Sequence, residues 1–172
     1  MISSEIPHLF CSKKLSDLIL LKTNKSETIE SNEKWNGHLF YIDKRKCLIF
    51  IHKQTLYSVV VIDILKKDLD NFNKFFTDNF IKQLYIDNIL NIDNEEKIKE
   101  IYNRINLRTT DNDRRVTGFL NDGVFRMKSC IYDLGKSYIR NYRYNNLNIT
   151  PMGSKKIIYP IEEMRKLILN YS

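Results

Sequence analysis

The sequence predicts an α+β fold, a small antiparallel β-meander with four to five helices packed against it, in a single domain spanning residues 1–172. Three runs rich in β-branched and aromatic residues follow one another between short polar breaks, which is typical of a meander. Further along the chain, apolar residues recur at spacings of three and four, which indicates amphipathic helices. A chain of 172 residues is long enough to bury a proper core.

The strands are expected in the first third of the chain. The stretch "HLFCSKKLSDLILL" predicts a short strand and then a helical turn capped by Ser12. Residues 22–34 are polar and lack periodicity, so we expect a mobile surface loop. The meander follows as "GHLFYID", "KCLIFIH" and "LYSVVVID". Because "CLIFI" and "VVVI" are continuously apolar, these strands should be covered on both faces.

The helices follow the meander. Asp68 or Asp70 is expected to cap the first of them, whose apolar stripe comprises Leu69, Phe72, Phe75, Phe76, Phe80 and Leu84. The next helix places Ile98, Ile101, Tyr102 and Ile105 on one side. "NLRTT" fits a brief strand, and a third helix should run from about Asp113 to Leu134, with Gly135 as its C-cap. Pro160 opens a final helix whose first turn carries two glutamates.

The stretch "DNDRRVTGFLND", residues 111–122, predicts the N-terminal half of that third helix, capped by Asp111 or Asp113. On a helix, Arg114, Gly118, Asn121 and Asp122 share one sector. We expect Arg114, Gly118 and Asn121 to face inward, because a glycine inside a helix suits close packing against another element. Arg114 should then meet Asp122, Asp43, Asp63 or backbone carbonyls, while Arg115 points to solvent. The alternative is that the stretch is a working site.

The net charge of +7 is unevenly distributed along the chain. Residues 1–122 hold 19 Lys and Arg against 18 Asp and Glu, whereas residues 123–172 hold nine against three. A basic irregular segment near 136–156 interleaves aromatic and basic side chains, namely Tyr138, Arg140, Tyr142 and Arg143. Guanidinium groups contact phosphates and tyrosine rings stack on unpaired bases. The asymmetry favours an acidic partner, either nucleic acid or an acidic protein surface.

The sequence indicates no catalytic residue, cofactor or metal site. It has no HExxH, no finger-type Cys and His spacing, no phosphate-binding glycine loop and no GxSxG elbow. The three cysteines are widely spaced, which predicts that they are reduced and buried as small hydrophobic side chains in a cytosolic protein. Without a secretory signal or an apolar run of 18 residues, the protein is expected to be cytoplasmic and not to engage a membrane.

Four stretches in family order carry a resemblance: "CSKKL", "KWNGHLFYIDKRKCLIFIHKQTLYSVVV", "DNDRRVTGFLND" and "LNITPMGSKKIIYPIEEMRKLI". On these, the chain resembles a bacterial, plasmid and phage family, the domain of unknown function 6933. The residues that fit its pattern are Arg45, Lys46, Arg114, Gly118, Asn121, Asp122, Tyr159 and Pro160. His38, His52 and Arg115 depart from it. The resemblance implies mobile-element cargo with nucleic-acid-linked or host-conflict roles.

Three functions remain open from the sequence. The first is a non-catalytic module that binds nucleic acid or a nucleoprotein through its basic C-terminal third. The second is a protein-interaction factor, such as a phage-encoded inhibitor of host defence or an antitoxin-like regulator. The third is an enzyme acting on nucleic acid or a nucleotide, with Arg45 and Lys46 as phosphate clamps and Asp122 as acid, base or metal ligand.

Overall fold

The computed structural model describes residues 6–21, 31–134, 146–153 and 156–171. It confirms the α+β fold, with a five-stranded mixed sheet in the order β4-β3-β2-β1-β5. The predicted meander forms β2 (Lys34–Ile42), β3 (Arg45–His52) and β4 (Ser58–Ile64), and its neighbouring strands are antiparallel. Two short strands, β1 (His8–Cys11) and β5 (Asn106–Thr109), extend this sheet in parallel orientation beyond β2.

Helices pack on both faces of the sheet. They are α1 (Lys13–Leu18), α2 (Phe72–Ile86), α3 (Ile92–Ile101), α4 (Arg114–Leu134), α5 (Asn146–Ile149) and α6 (Pro160–Leu169). The final helix begins with Pro160 at its first turn, followed by Glu162 and Glu163, as the sequence predicts. Ser12 stands at the N-cap position of α1, although its side chain makes no capping hydrogen bond.

The first face of the sheet carries an aromatic core. The α2 stripe buries Phe72, Phe76 and Phe80, and the rings of Phe76 and Phe80 pack about the single tryptophan, Trp35, at centroid distances of 5.2 and 5.0 Å. Edge-to-face pairs of this kind add to the energy of burying the rings. Tyr102, which follows α3, joins them and donates its hydroxyl hydrogen to Glu33 at 2.9 Å. This core fixes one side of β2 and β3.

The predicted cap of α2 is wrong. Asn71 is the N-cap residue, and its side chain accepts a hydrogen bond from the amide of Lys74 at 3.1 Å. Asp68 instead accepts from the amide of Leu65 at 2.8 Å and so caps a 3₁₀ turn, Lys66–Leu69, that precedes the helix. The 3₁₀ turn precedes α2, so the helix begins after Asp68. Asn71 can cap it there, because Asn and Asp side chains satisfy the free amides at a helix start about equally well.

The second face of the sheet carries an aliphatic core beneath α4. Ile49 and Ile51 of β3 are fully buried there, against Val116 and Leu120 of α4 and Leu147 of α5. Strand β3 is buried on both faces, as the continuously apolar run "CLIFI" predicts. This packing sets the orientation of α4 and therefore decides which of its residues reach solvent.

Some predicted features lie outside the described residues. These are residues 22–30 of the predicted loop, the proposed C-cap Gly135 and residues 136–145 of the basic segment. Of the rest of the loop, Ser31 and Glu33 are buried. A bridge between Met152 and Ile158 follows α5. In the part of the chain that is described, none of the helices has the length and apolarity that crossing a membrane requires.

Candidate functional site

Helix α4 turns one regular stripe of small and apolar residues toward the sheet. The stripe comprises Val116, Leu120, Gly123, Met127 and Ile131, all buried and spaced by three or four residues. Gly123 lies close to the sheet: a Cβ built on it would stand 2.7 Å from Cδ1 of Ile49. Real side chains do not tolerate that distance, so glycine at 123 lets the helix lie directly on β3.

The opposite side of α4 carries a second stripe, which we call the outer stripe. It comprises Arg114, Gly118, Asn121, Phe125, Lys128 and Tyr132, all exposed. The prediction that Arg114, Gly118 and Asn121 face inward is therefore wrong. Among the described residues, no heavy atom outside the local helix backbone lies within 4 Å of a Cβ built on Gly118, so no packing contact described here requires glycine at this position. The apolar spacing that begins at Val116 fixes the orientation of the helix and leaves Gly118 on the solvent side.

The start of α4 is anchored by the two aspartates of the motif. Asp113 caps the helix, accepting from the amides of Arg115 at 3.0 Å and Val116 at 3.2 Å. Lys53, just past the end of β3, places its Nζ 2.5 Å from Asp111 and 2.9 Å from Asp113. The expected aspartate cap is thus confirmed, and the acidic half of the motif serves to hold α4 on the sheet.

Two further contacts strengthen this anchor. Asn36 of β2 donates to Asp111 at 3.2 Å, and Arg115 donates to the backbone carbonyl of Lys53 at 2.6 Å. Burial alone would raise the pKa of both aspartates, but the hydrogen bonds and the charge of Lys53, together with further hydrogen bonds to each carboxylate, outweigh it, so both pKa values lie below their ordinary value. Arg115 is exposed as predicted, yet its guanidinium is held against the sheet.

The cations of α4 differ in whether they are neutralised. Arg126 pairs with Asp122 at 2.8 Å across one helical turn. Arg114 and Lys128, both in the outer stripe, form no hydrogen bond or ion pair with another described residue. Because an unpaired surface cation keeps its full field toward solvent, the outer stripe attracts anions more strongly than the Asp122–Arg126 flank.

The region beside the outer stripe is also positive. His38 of β2 is half-buried, and its pKa is lowered by burial and then by the charges of Lys14 and Lys128. Lys14 belongs to α1 and Lys128 to α4, so two cations far apart in sequence act on one imidazole. Burial and these two positive charges therefore all favour the neutral form of the His38 imidazole.

The remaining predicted binding residues are scattered. Arg45, at the β2–β3 turn, pairs with Asp63 at 2.5 Å, and neighbouring Lys46 is half-buried. No hydrogen bond or ion pair among the described residues joins Asp122 to Arg45 or Lys46. Tyr138, Arg140, Tyr142 and Arg143 lie outside the described residues.

Two buried clusters of polar side chains join residues that are far apart in the sequence, and we interpret both as structural. Glu33 accepts a hydrogen bond from Tyr102 and lies 3.4 Å from Nε2 of His52. Burial would raise the Glu33 pKa, but the adjacent His52 imidazole and weaker contacts lower it overall. The other joins Tyr57 to Asp87 at 2.5 Å. Within the described ranges, no three His, Cys, Asp or Glu side chains are grouped so as to hold a metal ion.

The outer stripe also contains residues that sequence reasoning missed, namely Phe125, Lys128 and Tyr132. The signal was present in the sequence: the small and apolar series continues from Leu120 through Gly123 to Met127. Following that series would have turned residues 125, 128 and 132 outward together with Arg114.

Comparisons with known proteins give one match. A family model, the domain of unknown function 6933, matches residues 8–163, which include all five strands and most of the helices. No curated protein and no solved structure matched the chain. Since the family match covers most of the chain, the protein belongs to the family of the domain of unknown function 6933.

Proposed function

We propose that this protein is a non-catalytic module that binds nucleic acid, with the outer stripe of α4 as the described part of its binding surface. The observation that carries the proposal is the placement of two cations, Arg114 and Lys128, that pair with no other described residue, on the same helix face as two exposed rings, Phe125 and Tyr132. Cations that no neighbouring acidic group neutralises are able to replace the counterions of a phosphate backbone.

The charge of the chain supports a polyanionic partner. The excess of basic residues lies in residues 123–172, which begin in the middle of α4. Tyr138, Arg140, Tyr142 and Arg143 follow α4 directly in sequence, so the basic and aromatic composition of the outer stripe continues into that tract. A long basic surface would make binding steeply dependent on salt. We place this activity in the cytosol, in keeping with three free cysteines.

The test is a titration of labelled single-stranded DNA, RNA and duplex DNA at several salt concentrations. We expect affinity to fall steeply with salt, and replacement of Arg114 and Lys128 by alanine to reduce the slope of log K against log[salt] by about one for each residue. Arg140→Ala and Arg143→Ala should reduce it further. The matched control is Lys82→Ala, an exposed cation of α2 on the other side of the sheet. Absence of binding to all three probes at low salt would overturn the proposal.

A second candidate is a protein-interaction factor, such as a phage-encoded inhibitor of host defence or an antitoxin-like regulator. The observation that favours it is the open space over Gly118, since small residues let another helix approach closely. Pull-down from a bacterial lysate with and without nuclease separates the two. A partner lost on nuclease treatment supports nucleic-acid binding, whereas a stoichiometric, nuclease-resistant partner supports this candidate.

A further inference from the structure

The two exposed rings of α4 are exceptional within this protein. Of its nine phenylalanines, eight are buried or half-buried, whereas Phe125 is 69% exposed. Tyr132 is 91% exposed, the highest value among the large exposed hydrophobic side chains of the described residues. A single exposed ring needs no explanation. Two rings on one helix face with a lysine between them form a pattern that packing does not account for.

The spacing of these residues is regular. Phe125 and Tyr132 are seven residues apart, two turns of one helix, and are therefore separated by about 10 Å along its axis. Lys128 lies between them on the same stripe. Three successive base-stacking distances of about 3.4 Å span a similar length. The separation therefore fits two unpaired bases between the rings, with Lys128 placed for the phosphate that joins them.

We propose, resting on the nucleic-acid binding proposed above, that the outer stripe binds single-stranded nucleic acid by stacking unpaired bases on Phe125 and Tyr132. In a duplex the faces of the bases are covered by their neighbours, so exposed rings gain contact only with bases that are unpaired. Stacking on aromatic side chains is tolerant of sequence because every base has a π face. The site selects strand state and discriminates little between sequences.

The composition of the stripe favours this occupant over a partner helix. Of its six positions, only Phe125 and Tyr132 carry rings, while Arg114 and Lys128 are charged and Asn121 is polar. A helix docking on this stripe would have to bury both cations, which have no acidic partner among the described residues, and such burial is costly. A phosphate backbone supplies negative charge at regular intervals and leaves both cations hydrated at its edge.

The experiment compares strand states and ring variants by fluorescence anisotropy at one low salt concentration. Labelled oligothymidine should bind at least tenfold more tightly than a duplex of the same length. Phe125→Ala and Tyr132→Ala should each weaken single-strand binding by about tenfold and leave the salt slope unchanged, because a ring contributes stacking and no charge. Phe125→Tyr should restore affinity. Tyr85→Ala, which removes an exposed ring from α2 on the far side of the sheet, is the matched control and should have no effect.

A crosslinking measurement on the unaltered protein covers the case in which a variant fails to fold. RNA containing 4-thiouridine, irradiated in the complex and mapped by mass spectrometry, should crosslink to Phe125 or Tyr132. Equal affinity for duplex, or crosslinks confined to other segments, would overturn the stacking inference and leave nucleic-acid binding intact. Failure of every probe to bind at low salt would remove both proposals together.

Discussion

The two glycines of α4 have opposite environments. Gly123 faces β3 so closely that a Cβ would stand 2.7 Å from Ile49, whereas a Cβ on Gly118 would meet no side chain of the described residues within 4 Å. The residues are five positions apart, which on a helix places them on different sides. A glycine in a helical sequence therefore does not by itself mark a packing contact. Its neighbours at spacings of three and four decide which side it occupies.

The difference extends along both stripes. The buried stripe contains aliphatic residues and glycine, has no charge and is fixed against the second core. The outer stripe mixes two cations with two exposed rings, and all six of its residues are exposed. Changes to the buried stripe should thus act on stability, and changes to the outer stripe should act on binding.

The largest effect on stability is expected from Leu120→Ala. Leu120 of α4 is buried against the sheet, so truncation should lower the free energy of unfolding by about 2–5 kcal/mol through lost burial and a cavity. Phe125→Ala on the outer stripe should change it by less than about 0.5 kcal/mol. Urea denaturation of both variants measures the contrast. Similar losses in the two variants would show that the stripes are not distinct.

A smaller effect is expected at the anchor of α4. Asp113→Ala removes the helix cap and one partner of Lys53, and should lower the free energy of unfolding by about 1–2 kcal/mol. Asp113→Asn keeps a capping side chain but loses the charge, so it should cost clearly less. If both variants unfold like the unaltered protein, Asp113 does not hold the helix.

The same anchor should respond to pH. Burial raises the pKa values of Asp111 and Asp113, but the contacts with Lys53 and the other hydrogen bonds to these carboxylates together lower both values in the folded protein. Their stabilising contribution is therefore fully present above the unfolded pKa of about 3.9 and is lost as pH falls through the lower folded values. Thermal melts from pH 7 to pH 2.5 should show a smaller acid-induced loss in Asp113→Asn than in the unaltered protein.

The sequence predicts much of the fold but only part of the site. Local patterns give the meander and the apolar stripe of α2, because each depends on residues close together in the chain. The parallel addition of β1 and β5 depends on pairing between residues about 100 positions apart, as between Leu9 and Leu107, which no local pattern specifies. The aspartate cap of α4 could be predicted, whereas the partner of Asp113, Lys53, lies on a distant strand.

At Gly118, in contrast to the positions above, a substitution is expected to increase stability. Gly118→Ala should raise the free energy of unfolding by up to about 1 kcal/mol, since alanine favours the helix and the position is open. Gly123→Ala has the same gain in helix propensity, but its Cβ must displace the side chain of Ile49, so its net effect should be lower. Thermal melts of the two variants rank them directly. A more stable Gly123→Ala would show that the helix lies farther from β3.

The smallest effect on stability is expected from Arg114→Ala. Its side chain is exposed and contacts no other described residue through a hydrogen bond or ion pair, so the melting temperature should stay within error of the unaltered protein. Its neighbour Arg115 donates to the carbonyl of Lys53, so Arg115→Ala should produce a small but measurable decrease in melting temperature.

Binding should rank the two variants in the reverse order. Arg114→Ala should weaken nucleic-acid binding and reduce its salt slope, because the Arg114 guanidinium pairs with no described residue and is available to a phosphate. Melting curves and salt titrations of both variants test whether Arg115 contributes to stability and Arg114 to binding. Equal effects of the two substitutions in both assays would show that Arg114 and Arg115 do not have separate roles in binding and stability.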